Sequence, residues 1–213
     1  MIKIEHFDGF NLEGAIRGMR NPMESWDKSD SDLENDVVGS NDLTLMKKLY
    51  KAGSDHSKFM RQIFVSMDIT APLYWWKEFD TYKVGTVANS CSTMHTLHKR
   101  DLTLDDFSYE HLNCSSIISL ESIISIINNS RRLFVEGDDT FKKGNWWQMI
   151  QLLPSSYNQK RTVTMSYANL AAMIKARSHH KLDEWITFCS EMLANAPYLA
   201  EIIKGEEDDW DGK

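Results

Sequence analysis

The chain has 213 residues, 42% of them hydrophobic and 11% aromatic, with a formal net charge of −7. That is enough apolar material for one domain with its own core, or for a domain that completes its core in an oligomer. The acidic balance excludes a duplex nucleic-acid surface, which needs a broad basic face, whereas a small anionic ligand needs only two or three local cations.

In chain order, residues 1–10 read as a short edge strand. Residues 11–40, rich in Asn, Asp, Ser and Gly and carrying Pro22, read as a long, partly irregular segment. Ser40 or Asn41 is placed to cap a helix that buries Leu43, Met46 and Leu49 and stops at Gly53. Residues 61–70 alternate, with Ile63, Val65, Met67 and Ile69 on one side, which predicts a half-buried strand. Thr70 then offers an N-cap, with Pro72 in the first turn of an aromatic helix from Leu73 to about Tyr82. Residues 84–100 hold small and hydroxylated side chains and read as a loop or interrupted element.

Residues 116–135 predict an amphipathic helix with Ile117, Leu120, Ile124, Ile127 and Phe134 on one face. A short helix follows near Trp146–Leu153 and stops at Pro154. The longest helix is expected from about Met165 to Ala194, with Leu170, Ile174, Trp185, Ile186 and Cys189 in its stripe, closed by Pro197. A last short helix reaches Ile203. No repeat or interdomain linker is visible, so residues 1–205 read as a single domain and 206–213 as a solvated acidic tail.

Three cysteines, Cys91, Cys114 and Cys189, are odd in number and widely spaced, with no zinc or Cys-x-x-Cys pattern. A reduced, cytoplasmic protein is the natural expectation. The N-terminal stretch MIKIEHFDGF has acids and no apolar h-region, so it does not read as a signal peptide. No run approaches the ~18 apolar residues of a membrane span. His179 and Asp183 form an i, i+4 pair, but no third ligand stands near them in sequence, so no metal is expected.

Two segments carry a family resemblance. The first is HSKFMRQIFVSMDITAPLYWWKEF, His56 to Phe79; the second is LPSSYNQKRTVTMSYANL, Leu153 to Leu170, continuing to Arg177. Together they resemble the flavin-dependent thymidylate synthases in spacing: a His before a strand, an Ala-Pro opening an aromatic helix, and a Leu-Pro followed by an extended stretch and a helix bearing an Arg. The resemblance implies an α/β fold, a small, mostly antiparallel sheet packed by long helices, in a homo-oligomer with a tetramer favoured. It also implies a deoxyuridine-type nucleotide as ligand, with FAD and folate as cofactors for transfer of one carbon to C5.

By position, the resemblance assigns Arg177, Lys160, Arg161, Ser92 and Glu78 to the nucleotide, and His56, Lys83, Tyr82 and Asn89 to the flavin. The chain also departs from the family. Its Arg-His-Arg motif falls on Thr81-Tyr82-Lys83, and other family arginines fall on Ile150 and Ala168. Two readings therefore stand side by side: an enzyme of altered substrate, and a nucleotide-binding protein without the original chemistry. A structural oligomer is a third.

Read as residues, Arg177 borders the predicted apolar stripe, so it needs either a ligand or an acidic partner. Lys160 and Arg161 can meet a phosphate or stand in an exposed turn. Lys83 is a point charge for a phosphate or a solvated lysine. His56 is a ring contact or a loop histidine. Cys91 is a nucleophile only with a base and a lowered pKa, and otherwise a small packed residue. Trp75, Trp76, Trp146 and Trp147 stack on a ligand or fill the core.

Overall fold

The computed structural model describes residues 1–32, 34–35 and 37–204, so the acidic tail at 206–213 lies outside the described residues. The fold is α/β. Four strands, β1 (Lys3–Phe10), β2 (Phe64–Pro72), β3 (Thr86–Ser90) and β4 (Asn158–Ser166), form an antiparallel sheet in the order β1-β2-β4-β3. The helices are α1 (Leu12–Arg20), α2 (Ser40–Lys51), α3 (Leu73–Phe79), α4 (Thr93–Thr96), α5 (Cys114–Glu136), α6 (Asp139–Leu152), α7 (Tyr167–Arg177), α8 (Asp183–Asn195) and α9 (Leu199–Ile203).

The chain divides into two compact units built from alternating segments. One comprises residues 1–3, 68–81 and 88–162; the other comprises 4–67, 82–87 and 163 onward. In the first, α5 packs along α6. Leu120, Ile124 and Ile127 of α5 are buried in a cluster with Leu97, Phe107 and Met149. Burial of each such side chain contributes roughly 1.5–3 kcal/mol. The same unit holds the aromatic helix α3, in which Trp75 and Trp76 meet edge-on at 4.9 Å and each ring lies 5.1 Å from Phe79. Asn113 caps α5 by accepting the Ser116 N–H at 3.0 Å.

In the second unit, α7 packs against α8, and α2 and α8 both pack against α9. A buried ion pair, Arg20 Nε to Asp42 Oδ1 at 2.6 Å, ties α1 to α2. The hydroxyls of Ser29 and Ser31 each donate to Asp42 Oδ2 at 2.6 Å. Between these two serines, the Asp30 carboxylate accepts the N–H groups of Asn41 and Asp42. Asp30 thus caps α2 from outside the helix, because Gly39 at the N-cap has no side chain to do so.

Several sequence expectations hold. Residues 3–10 are an edge strand. Ile63, Val65, Met67 and Ile69 are buried together. Met46 is buried on α2, with Leu43 and Leu49 half-buried. Gly53 follows the helix with φ of 102°, a left-handed conformation suited to glycine.

Others are corrected. Residues 12–20 are a helix, not irregular chain: Leu12, Ala15, Ile16 and Met19 make an i, i+3, i+4, i+7 stripe that the low propensity of Gly14 and Gly18 obscures. β2 runs on to Pro72, so Pro72 takes the N-cap of α3 in place of Thr70. Residues 86–90 form a strand. The helix near Trp146 begins at Asp139. The single long helix from 165 to 194 is three elements: the end of β4, then α7, then α8. Val163 and Met165 alternate inward as strand residues, and Ser166 starts α7 by accepting the Asn169 N–H. The second break falls at Ser178–Leu182, where the His180 Nδ1 accepts the Leu182 N–H at 3.1 Å and Asp183 and Glu184 open the next helix. Ile186, expected in the stripe, is exposed.

Candidate functional site

Two groups of the expected site residues emerge, one in each unit. In the second unit, Arg177 is the last residue of α7, where a cation complements the helix C-terminus. Its Nε donates to the Tyr82 hydroxyl at 2.9 Å. The guanidinium carbon lies 5.7 Å from the Tyr82 ring centroid and 5.1 Å from that of Trp185. These two rings meet edge-on at 6.0 Å, and His180 approaches Trp185 at 6.4 Å. Burial pushes the Cys189 thiol up to about 11, partly offset by the charge of Arg177. Arg177 is therefore half-buried in an aromatic setting, where cation–π attraction is stronger than at an exposed site.

The segment that delivers Tyr82 is held a second time. The Asn169 side-chain amide donates to the Val84 carbonyl and to the Thr86 hydroxyl, both at 2.7 Å. Between them Gly85 has φ of 72°, and a Cβ there would come 3.4 Å from the Asn169 amide nitrogen. Only a residue at ease in the left-handed region brings both acceptors to one amide without strain. Lys83 in this segment is exposed. His56 is also exposed, in the turn that follows Gly53, where its N–H donates to the Gly53 carbonyl at 3.1 Å.

In the first unit, Lys160 and Arg161 sit on β4 rather than in an exposed turn. Lys160 Nζ pairs with Asp68 Oδ2 at 3.0 Å, and Thr162 donates to the other oxygen of Asp68 at 2.6 Å. Arg161 lies 4.2 Å above the Trp76 ring, bonds Asp80 Oδ1 at 2.7 Å and Gln159 Oε1 at 3.0 Å. Gln159 in turn donates to the Cys91 carbonyl at 2.8 Å, and the Cys91 N–H donates to the Lys160 carbonyl at 2.9 Å. An incoming phosphate would have to compete with two carboxylates for these cations. Glu78 is half-buried on α3, and its carbonyl accepts the Thr81 hydroxyl at 2.7 Å. Ser92 is half-buried at the start of α4; Asn89 is exposed on β3.

Sequence reasoning missed Asn169, Trp185, Asp68 and Asp80 as partners. Asn169 had a signal: Ser166-x-x-Asn169 has the spacing of a capping box. The carboxylate partners had none, since Asp80 and Arg161 are 81 residues apart. Among the described residues, no group of three or more His, Cys, Asp or Glu is arranged to hold a metal ion, and no helix is long and apolar enough to cross a membrane.

No protein-family model and no curated protein matches the sequence. Solved structures do. Thymidylate synthase X from Helicobacter pylori with FAD and dUMP is 15% identical with a TM-score of 0.67, covering 95% of this chain and 97% of that one. A second H. pylori ThyX complex with FAD and dUMP is 16% identical with a TM-score of 0.66, over 95% and 96%. The UMP/dUMP methylase PolB from Streptomyces cacaoi, bound with 5-Br UMP, is 14% identical with a TM-score of 0.64, over 95% and 92%. At these identities the likeness is one of fold: the chain has the fold of the flavin-dependent thymidylate synthases.

Proposed function

We propose that this protein binds a pyrimidine nucleotide of the uridine or deoxyuridine type and holds flavin weakly or not at all. The observation that carries the nucleotide part of this reading is the match, over 95% of the chain, to three structures whose bound ligands include dUMP or 5-Br UMP. Arg177, on the helix that follows β4, is the residue we assign to the pyrimidine, with Lys160, Arg161, Ser92 and Glu78 as further candidates. Arg presents a planar fork that suits a pyrimidine edge or a phosphate.

The residues at 81–83 do not fit a flavin well. Thr81 donates its hydroxyl to its own helix, the Tyr82 hydroxyl is engaged by Arg177, and Lys83 supplies a single point charge. His56, Asn89, Lys83 and Tyr82 are the residues that would hold a flavin. This observation favours a binding or sequestering role over C5 transfer from a folate. The likeness to FAD-bound enzymes favours the enzymatic alternative.

One preparation separates the two. The purified protein is examined by absorption spectroscopy after gel filtration, then titrated calorimetrically with UMP and dUMP. A colourless protein that binds either nucleotide is the expected result. A yellow protein with stoichiometric flavin moves the enzymatic reading ahead. Absence of binding to both nucleotides, with or without added flavin, removes the nucleotide reading.

A further inference from the structure

Residues 82–87 belong to the second unit although the residues on both sides of them belong to the first. Six residues cannot make a core; besides the ring contact of Tyr82 with Trp185 on α8 and the strand that begins at Thr86, what holds them in that unit is hydrogen bonding to α7. Two contacts do so. Arg177, at the C-terminal end of α7, reaches Tyr82 through Nε at 2.9 Å. Asn169, in the first turn of α7, reaches Val84 and Thr86 at 2.7 Å each. They are eight residues apart, or about 12 Å along a helix. One segment is thus fixed to the two ends of one helix. Between these points Val84 is 91% exposed, so no apolar anchor stands at the turn itself.

We propose that Asn169 and Tyr82 are positioning residues that form a two-point clamp: Asn169 sets the turn at Gly85, and the Tyr82 hydroxyl orients the Arg177 guanidinium by engaging its Nε. An arginine whose Nε is fixed by an acceptor has its plane defined, and the Nη edge then points in one direction. The clamp rests on geometry alone. Its second consequence, that Tyr82 tunes nucleotide recognition by Arg177, rests on the function proposed above.

The test uses Tyr82→Phe, which keeps the ring beside Trp185 and removes only the acceptor, together with Asn169→Ala and the double variant. Hydrogen–deuterium exchange across 82–87 is followed beside thermal melts and titration with dUMP. Each single variant is expected to raise exchange across 82–87 several-fold, and the double variant to raise it further, with exchange in α5 and α6 unchanged. The Tyr82–Arg177 bond lies within the protein and is made before a nucleotide arrives, so its loss acts only through the orientation of the guanidinium, and dUMP binding is expected to weaken about three- to tenfold in Tyr82→Phe. In an Arg177→Ala background the same change should have no further effect. Unchanged exchange in both single variants overturns the clamp. Faster exchange with unchanged dUMP affinity supports the clamp and overturns the role of Tyr82 in recognition. If the unaltered chain binds no dUMP while exchange still rises, the clamp stands and the nucleotide reading falls.

Discussion

Arg177 closes α7. The side chain is held by a hydroxyl and flanked by two rings, so two outcomes are separable. If it reads a nucleotide, Arg177→Ala should cost roughly 1.5–3 kcal/mol of binding, the worth of a hydrogen bond to a charged group. Arg177→Lys should not restore it, because an ammonium has no planar fork. Calorimetry beside thermal melts checks both halves. Unchanged affinity in Arg177→Ala, with a lowered melting temperature, would make it a packing residue of α7 and α8. The cysteines give a second prediction at this scale. Cys91 and Cys114 are exposed, whereas Cys189 is buried with its thiol pushed up to about 11. The thiolate is the reactive form, so a disulfide reagent at neutral pH should titrate two thiols in the native protein and a third only on unfolding. A single fast phase of three would contradict the burial of Cys189.

At the scale of elements, the loop from Ser29 to Ser31 is tied to α2 by charge. Burial pushes the Asp42 carboxyl up, but hydrogen bonds from Ser29, Ser31 and Arg20, with the charge of Arg20, outweigh it, and the net shift is downward. A carboxyl depressed in the folded state stabilises at pH values above its unfolded value, about 3.9. That stability is lost as pH falls through the lower folded value. Asp42→Asn leaves Arg20 buried without its counter-charge and should cost about 3 kcal/mol at neutral pH. The variant should also show a flatter loss of stability below pH 4 than the unaltered chain, as measured by urea unfolding across pH. A parallel slope in the two proteins would show that Asp42 does not carry the acid sensitivity. In the 82–87 segment, Gly85→Ala forces a Cβ into the left-handed region and to 3.4 Å from the Asn169 amide. A loss of about 1 kcal/mol or more is expected in thermal melts. An unchanged melting temperature would mean that the turn relaxes freely.

These elements also mark how far the sequence was legible. Period-2 alternation found β2 and the apolar face found α5, because one buried side imposes its period on the residues. The α1 stripe was hidden by two glycines. The strand-to-helix change at Ser166 and the break at Ser178–Leu182 were hidden because apolar residues continue through both. Of the candidate site, Arg177, Tyr82, Lys160 and Arg161 were singled out, though with Arg177 in the middle of one long helix and Tyr82 inside the aromatic helix, whereas Arg177 closes α7 and Tyr82 lies beyond Phe79. Their partners were not, since Asp68, Asp80 and Trp185 are supplied by distant segments.

At the scale of the whole chain, α5 and α6 expose Ile118, Ile126, Leu133, Phe141 and Trp147. Exposed apolar side chains on neighbouring helices mark an association surface when they are contiguous. We expect a homo-oligomer, with a tetramer favoured by the family resemblance. Light scattering at micromolar concentration tests this, and a strictly monomeric mass would refute it. The interleaving of the two units bears on synthesis. β2 lies beside β4, and within the second unit the Ile63 carbonyl waits for the Tyr167 N–H at 2.9 Å, while Thr164 and Ser66, which share a hydrogen bond, are 98 residues apart. A ribosome therefore exposes Val65 and Met67 long before it has made Val163 and Met165. At ~5–20 residues per second that interval is on the order of ten seconds. During it the nascent chain holds an apolar strand with no neighbour to its later side, and for that period it depends on whatever shields such strands in the cell.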